Sequence, residues 1–113
     1  MDARVEKAIS HIQDNLSKDL RPEELARTVN LSCSRLNYLF KTEIGLTIAK
    51  YVKSQRMERA KSLLETTFLT VKEIGSECGL NDESHFVQNF KVAYGRTPLR
   101  HRQDHHRKHP DES

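Results

Sequence analysis

Ser34, Arg35, Asn37, Tyr38 and Lys41 fall close together in the stretch NLSCSRLNYLFKTEIG, residues 30–45. On a helical wheel Ser34, Tyr38 and Lys41 share one side, with Arg35 and Asn37 at its flanks. Leu36, Leu39, Phe40 and Ile44 gather on the opposite side. A face of hydroxyl, amide, phenol and cation can hydrogen-bond and pair charge with a partner. It cannot do covalent chemistry, because nowhere in the chain do a nucleophile, a base and an orienting group cluster, so the chain is read as no enzyme. Cys33 and Cys78 stand far apart with no metal-like pattern and read as two reduced thiols of a cytosolic protein. His101, His105 and His109 recur at i+4, a metal-like spacing, but in a polar C-terminal stretch, so neither metal nor cofactor is expected.

The charge pattern narrows the kind of partner. The net charge of the 113 residues is +3. Residues 31–61 hold Arg35, Lys41, Lys50, Lys53, Arg56, Arg59 and Lys61 against Glu43 and Glu58. Residues 62–90 reverse this, with Lys72 against Glu65, Glu73, Glu77, Asp82 and Glu83. A basic block of this kind is the footprint of a polyanion. The competing reading is a solvated helix face, which charge runs usually are. No apolar run approaches a membrane span, and the N-terminus MDARVEKAIS has no signal-peptide core.

The elements that must hold these residues are all helical. Val5, Ile9, Ile12 and Leu16 recur at helical spacing over residues 3–17. Pro22 opens a short helix, PEELARTV, that runs to near Asn30. Ser32 caps the helix of the opening stretch, which stops at Gly45. Thr47 opens a long helix with a broad stripe of Ile48, Tyr51, Val52, Met57, Ala60, Leu63 and Leu64. A second short helix begins near Thr70. Asp82 caps the next one, which runs to Tyr94, and Thr97-Pro98 opens a last short one. The tail from Gln103 has no apolar anchor and is expected to be disordered.

These elements repeat. Leu25 aligns with Ile74 and Leu31 with Leu80 at an offset of 49. Leu36 and Phe86, Phe40 and Phe90, Lys41 and Lys91, Gly45 and Gly95, Thr47 and Thr97 align at an offset of 50. One residue is inserted at the turn. Each copy is a short helix, a tight turn and a longer helix, a helix-turn-helix whose second helix can lie in a DNA major groove. In the second copy Phe86, Phe90, Ala93 and Tyr94 are expected inside, and Ser84, Gln88 and Lys91 outside.

Over about residues 5–102 the sequence closely resembles the DNA-binding domain of the AraC/XylS transcription regulators. The resemblance is carried by LARTVNLSCSRLNYLFKTEIG, YVKSQRMERAKSLL, VKEIGSECGL and SHFVQNFKVAYGRTPLRHR. The last looks like the family's signature of Phe, a spaced Phe-Lys, Gly-x-Thr-Pro and a closing Arg. It implies an all-α fold of about seven helices, with two helix-turn-helix subdomains, 1–46 and 67–102, joined by a connecting helix, 47–66. The residues after these, 103–113, form the polar tail.

The resemblance also implies a function. A bacterial, cytoplasmic regulator of this kind binds double-stranded DNA through two recognition helices in successive major grooves and mostly activates transcription. RNA polymerase is then a further candidate partner. The isolated domain would be monomeric, and a longer protein could dimerise through a separate domain. We lean towards the chain being an excised C-terminal domain. Base contacts would fall to Ser34, Arg35, Asn37 and Tyr38 in the first copy, and to Glu83, Ser84, His85 and Gln88 in the second. Phosphate contacts would fall to Lys41, Lys53, Lys91 and Arg102. The chain departs from the pattern at Tyr38 and Gln88, where many relatives carry Arg, and at His101, where Tyr is common. Gly75 stands where Ala is common and is expected to weaken its short helix. The alternative from another class is a helical protein-interaction module whose basic block is merely wet.

Overall fold

The computed structural model describes residues 1–108. Among them the chain forms seven helices and no strand: α1 (Ala3–Asp14), α2 (Pro22–Thr28), α3 (Cys33–Ile44), α4 (Ile48–Thr66), α5 (Val71–Glu77), α6 (Glu83–Tyr94) and α7 (Pro98–Lys108). They fall into two compact units that divide within α4, one of Met1–Gln55 and one from Arg56 onward.

In the first unit α1 starts where the Asp2 carboxylate accepts the Arg4 N–H at 2.8 Å. Asn15 ends it, earlier than the apolar spacing suggests. Its side-chain amide donates to His11 O at 2.8 Å and its N–H to Ile12 O at 3.1 Å, closing the last turn locally. Thr28 ends α2, because Asn30 takes a left-handed φ of 58° that a helix cannot continue through. Val5, Ala8 and Ile12 of α1, Leu25 and Ala26 of α2, Leu36 and Phe40 of α3, and Ile48 and Val52 of α4 form one buried cluster. The edge of Tyr51 meets Phe40 with ring centroids 5.1 Å apart.

The second unit repeats this frame with different residues. Met57, Ala60, Leu64, Ile74, Cys78, Phe86 and Phe90 make its core. Burial pushes the Cys78 thiol up to about 11, so it serves as small core filler rather than a reactive group. His101 is buried; its Nε2 lies 2.7 Å from Glu65 Oε2 and its ring meets Phe90 at 5.6 Å. His101 stands 50 residues after Tyr51 and meets Phe90 as Tyr51 meets Phe40. The repeat thus continues past each helix-turn-helix into the helix that follows it.

Two differences from the sequence expectations concern this unit. Ala93 is exposed, not inside, because the inner stripe of α6 narrows to the single row Phe86, Phe90 and Tyr94. Helix α7 does not end near Gln103 but reaches Lys108, and Asp104 explains it. Its carboxylate accepts Arg96 Nη1 at 2.8 Å and lies 3.3 Å from Arg100 Nε one turn back, which holds the part of the helix beyond Gln103, where the sequence has no apolar residue. The rest of the expected tail, 109–113, lies outside the described residues.

Candidate nucleic-acid interface

Helices α3 and α6 have the same length, and the helices before them, α2 and α5, are also alike. The connecting turns are residues 29–32 and 78–82, so the inserted residue is Asn81, between Leu80 and the cap Asp82. The caps are chemically parallel. Ser32 Oγ accepts the Arg35 N–H at 3.1 Å, and Asp82 Oδ1 accepts the His85 N–H at 3.0 Å. At the other end Gly45 and Gly95 take φ of 86° and 81°, the left-handed conformation that ends a helix cheaply only at glycine.

With Leu36 and Phe40, or Phe86 and Phe90, fixed inside, the remaining faces are set. Ser34, Arg35, Tyr38 and Lys41 are exposed on α3, and Glu83, Ser84, His85, Gln88 and Lys91 on α6. Lys53 is exposed on α4. The first turn of α3 carries no acid, whereas that of α6 carries Glu83 directly after the Asp82 cap.

Two residues expected at this interface are engaged elsewhere. Asn37 is half-buried, and its Oδ1 accepts the Ile48 N–H at 3.3 Å. Ile48 opens α4, so Asn37 satisfies one of the orphan donors at a helix start. The second copy shows why this matters. There Val87 replaces Asn37 and Pro98 replaces Ile48, and a proline has no N–H to satisfy. Asn37 therefore joins α3 to α4 through its side-chain oxygen. Arg102 is likewise half-buried. Its Nε donates to Leu64 O at 3.1 Å and its NH2 group to Thr67 O at 3.2 Å. It holds the C-terminal end of α4, where a cation also suits the helix dipole.

The same exchange of devices occurs at the starts of α2 and α5. Helix α2 has no side-chain cap and begins at Pro22. Helix α5 has a full capping box, in which Thr70 Oγ1 accepts the Glu73 N–H at 3.1 Å and Glu73 Oε1 accepts the Thr70 N–H at 2.9 Å.

Wheel geometry missed one relation on α3. The Arg35 guanidinium carbon lies 5.7 Å from the centroid of the Tyr38 ring. The i, i+3 spacing of a cation and an aromatic residue is the signal that would have found it. Among the histidines, the His101 and His105 rings lie 6.4 Å apart, but His101 turns to Glu65, and His109 is outside the described residues. No helix among the described residues is long and apolar enough to cross a membrane.

Comparison with known proteins agrees with this geometry. A family model described as a helix-turn-helix domain matches residues 25–104. The chain is 34% identical over 101 residues to the xylose operon regulatory protein of Escherichia coli K12, covering 89% of this chain but 26% of that one. It thus spans about a quarter of that relative's length. The structure of an AraC-type DNA-binding domain-containing transcriptional regulator from Chromobacterium violaceum superposes with a TM-score of 0.85 at 28% identity, covering 91% of this chain and 92% of that one. The C-terminal domain of AraT, a response regulator from Geobacillus stearothermophilus, gives 0.86 at 32% identity, covering 91% and 86%. With a doubled helix-turn-helix, matching caps and a family match over most of its length, the chain belongs to the AraC-type helix-turn-helix family of DNA-binding domains.

Proposed function

We propose that the chain binds double-stranded DNA sequence-specifically and regulates transcription, laying α3 and α6 in successive major-groove segments on one face of the duplex. The observation that carries this reading is the pair of in-register exposed polar faces, each on a capped helix that follows a shorter one through a tight turn. A merely wet surface has no reason to repeat in this way. Ser34, Arg35 and Tyr38 on α3, and Glu83, Ser84, His85 and Gln88 on α6, are the base-facing groups. Lys41, Lys53 and Lys91 meet phosphates, aided by the N-termini of the two helices.

The finer reading follows the family. The protein acts in the bacterial cytoplasm, mostly as an activator, with RNA polymerase as its second partner. The domain binds as a monomer, and any dimerisation resides in a separate domain of a longer protein. Footprinting on a duplex selected from a random pool tests the core of this. Two protected segments about one helical turn, roughly 34 Å, apart are expected. A single short protected segment would contradict the use of both helices.

A further inference from the structure

The Arg35–Tyr38 cation–π contact has no counterpart in the other copy, where His85 and Gln88 occupy the equivalent positions. Tyr38 leaves 62% of its surface exposed, on a helix whose other large apolar groups are buried or half-buried. Its neighbour one turn back, Ser34, is short, so ring and guanidinium stand clear of the surface. Arg35 makes no ion pair among the described residues, so its N–H edge is unused. At 5.7 Å the guanidinium lies within the roughly 6 Å over which a ring face attracts a cation.

We propose that Arg35 and Tyr38 form one composite reader of a two-base step, guanine beside thymine. It rests on the DNA-binding reading above and adds the step that α3 recognises. A bidentate bond to guanine O6 and N7 needs the guanidinium plane fixed along the base edge. The Tyr38 ring face attracts the guanidinium carbon, while the guanidinium N–H groups keep no protein partner among the described residues, so the ring restricts the fork before DNA arrives. The same ring is the apolar surface beside the fork, and the matching apolar group in the major groove is the C5 methyl of thymine. Tyrosine makes no bidentate base contact itself, so the ring, not the hydroxyl, is the part that matters. Tyr38 is in this sense a positioning residue for Arg35 and a methyl contact in its own right.

The test uses the whole chain and the duplex it selects from a random pool. The first half-site should contain a guanine beside a thymine. Replacing that thymine by uracil removes only the methyl and should weaken binding about fourfold, the worth of one buried carbon group. Tyr38→Ala should abolish this sensitivity to uracil and lower the preference for guanine about tenfold, with affinity for scrambled DNA unchanged. Tyr38→Phe should behave as wild type. Arg35→Lys should keep the charge and the affinity for scrambled DNA but lose the guanine preference.

Cytosine and 5-methylcytosine at the thymine position separate the methyl from the rest of the base, and a gain from the methylated base supports the methyl contact. No such gain, or Tyr38→Ala keeping the wild-type response to uracil and guanine, overturns the composite reader. Equal damage from Tyr38→Phe and Tyr38→Ala assigns the effect to the hydroxyl and also overturns it. A wild-type chain that selects no sequence at all overturns the DNA-binding reading itself, which these other outcomes leave standing.

Discussion

The two helix-turn-helix copies share a frame and differ in what they put on it. In both, a pair of apolar residues one turn apart seats the longer helix, and an oxygen-bearing cap starts it. The first copy then presents Arg35, Tyr38 and Lys41 with no acid in the opening turn. The second presents Glu83, Ser84, His85, Gln88 and Lys91 behind an aspartate cap. A carboxylate beside DNA repels phosphate and is tolerated next to a base donor such as the cytosine amino group. The first copy is thus suited to supply most of the non-specific grip, beside the step that Arg35 and Tyr38 read, and the second to act mainly as a discriminator. The difference teaches that the frame and the reading surface are separable: the residues that keep the fold are one helix face, and nearly everything that sets electrostatics is on the other.

The largest expected effect breaks one copy at a time. Phe40 and Phe90 are both fully buried, one in each core. Phe40→Ala and Phe90→Ala should each cost about 3–5 kcal/mol and unfold the unit that carries the change. Hydrogen exchange resolved by residue checks this, and wild-type protection in both units would reject the shared frame.

A smaller effect separates the two turns. Ala26 and Gly75 are equivalent, 49 residues apart. At Gly75 an added Cβ would meet the Leu80 carbonyl oxygen at 2.7 Å, and the Leu80 N–H donates to Gly75 O at 2.6 Å. At Ala26 the matching bond, from Leu31 N–H, is 3.1 Å. The glycine therefore permits a close approach rather than merely weakening α5. Gly75→Ala should destabilise by about 1–3 kcal/mol, where helix propensity alone would have it stabilise by about 1 kcal/mol. Urea denaturation gives the sign.

Next comes the start of the following helix. Asn37→Ala should lower the stability of the first unit by about 1 kcal/mol, as loss of a cap does, while leaving base preference intact. Val87→Asn should give the second unit no matching gain, because Pro98 has no N–H to offer. A changed base preference in Asn37→Ala would return this residue to the interface.

The smallest effect is one of pH. The hydrogen bond from Arg96, with the charges of Arg100 and Arg96, holds the Asp104 carboxyl below the usual carboxylate range. A group depressed in the folded state stabilises above its unfolded pKa, and that contribution is lost as pH falls through the folded value. The second unit should therefore lose stability on acidification below the ordinary carboxylate range, and Asp104→Asn should flatten part of that fall. The share due to Glu73, lowered by the Thr70 N–H, should remain. An unchanged profile in Asp104→Asn would remove Asp104 from the set of groups that stabilise α7.

Much of this frame was legible in the sequence because it is written locally. Ser32, Asp82, Gly45 and Gly95 act within a turn of themselves, and the apolar rows Leu36–Phe40 and Phe86–Phe90 need only helical spacing to be seen. What stayed hidden acts at a distance. A wheel puts Asn37 at the flank of α3 but cannot say that the Ile48 N–H comes within reach of it. Arg102 looks like a free cation until the end of α4 is placed beside it. Residues 103–108 look unanchored because the anchor is a carboxylate clamped by two arginines, not an apolar side chain. Gly75 reads as a weak helix former because propensity knows nothing of the Leu80 carbonyl.

The division of labour between the copies is most directly tested by titrating Glu83→Ala against the selected duplex and a scrambled one at a single salt concentration. Removing this carboxylate should tighten binding to the scrambled duplex and relax the preference within the second half-site. Weaker binding to both duplexes would contradict the assignment and make the second copy, not the first, the one that grips.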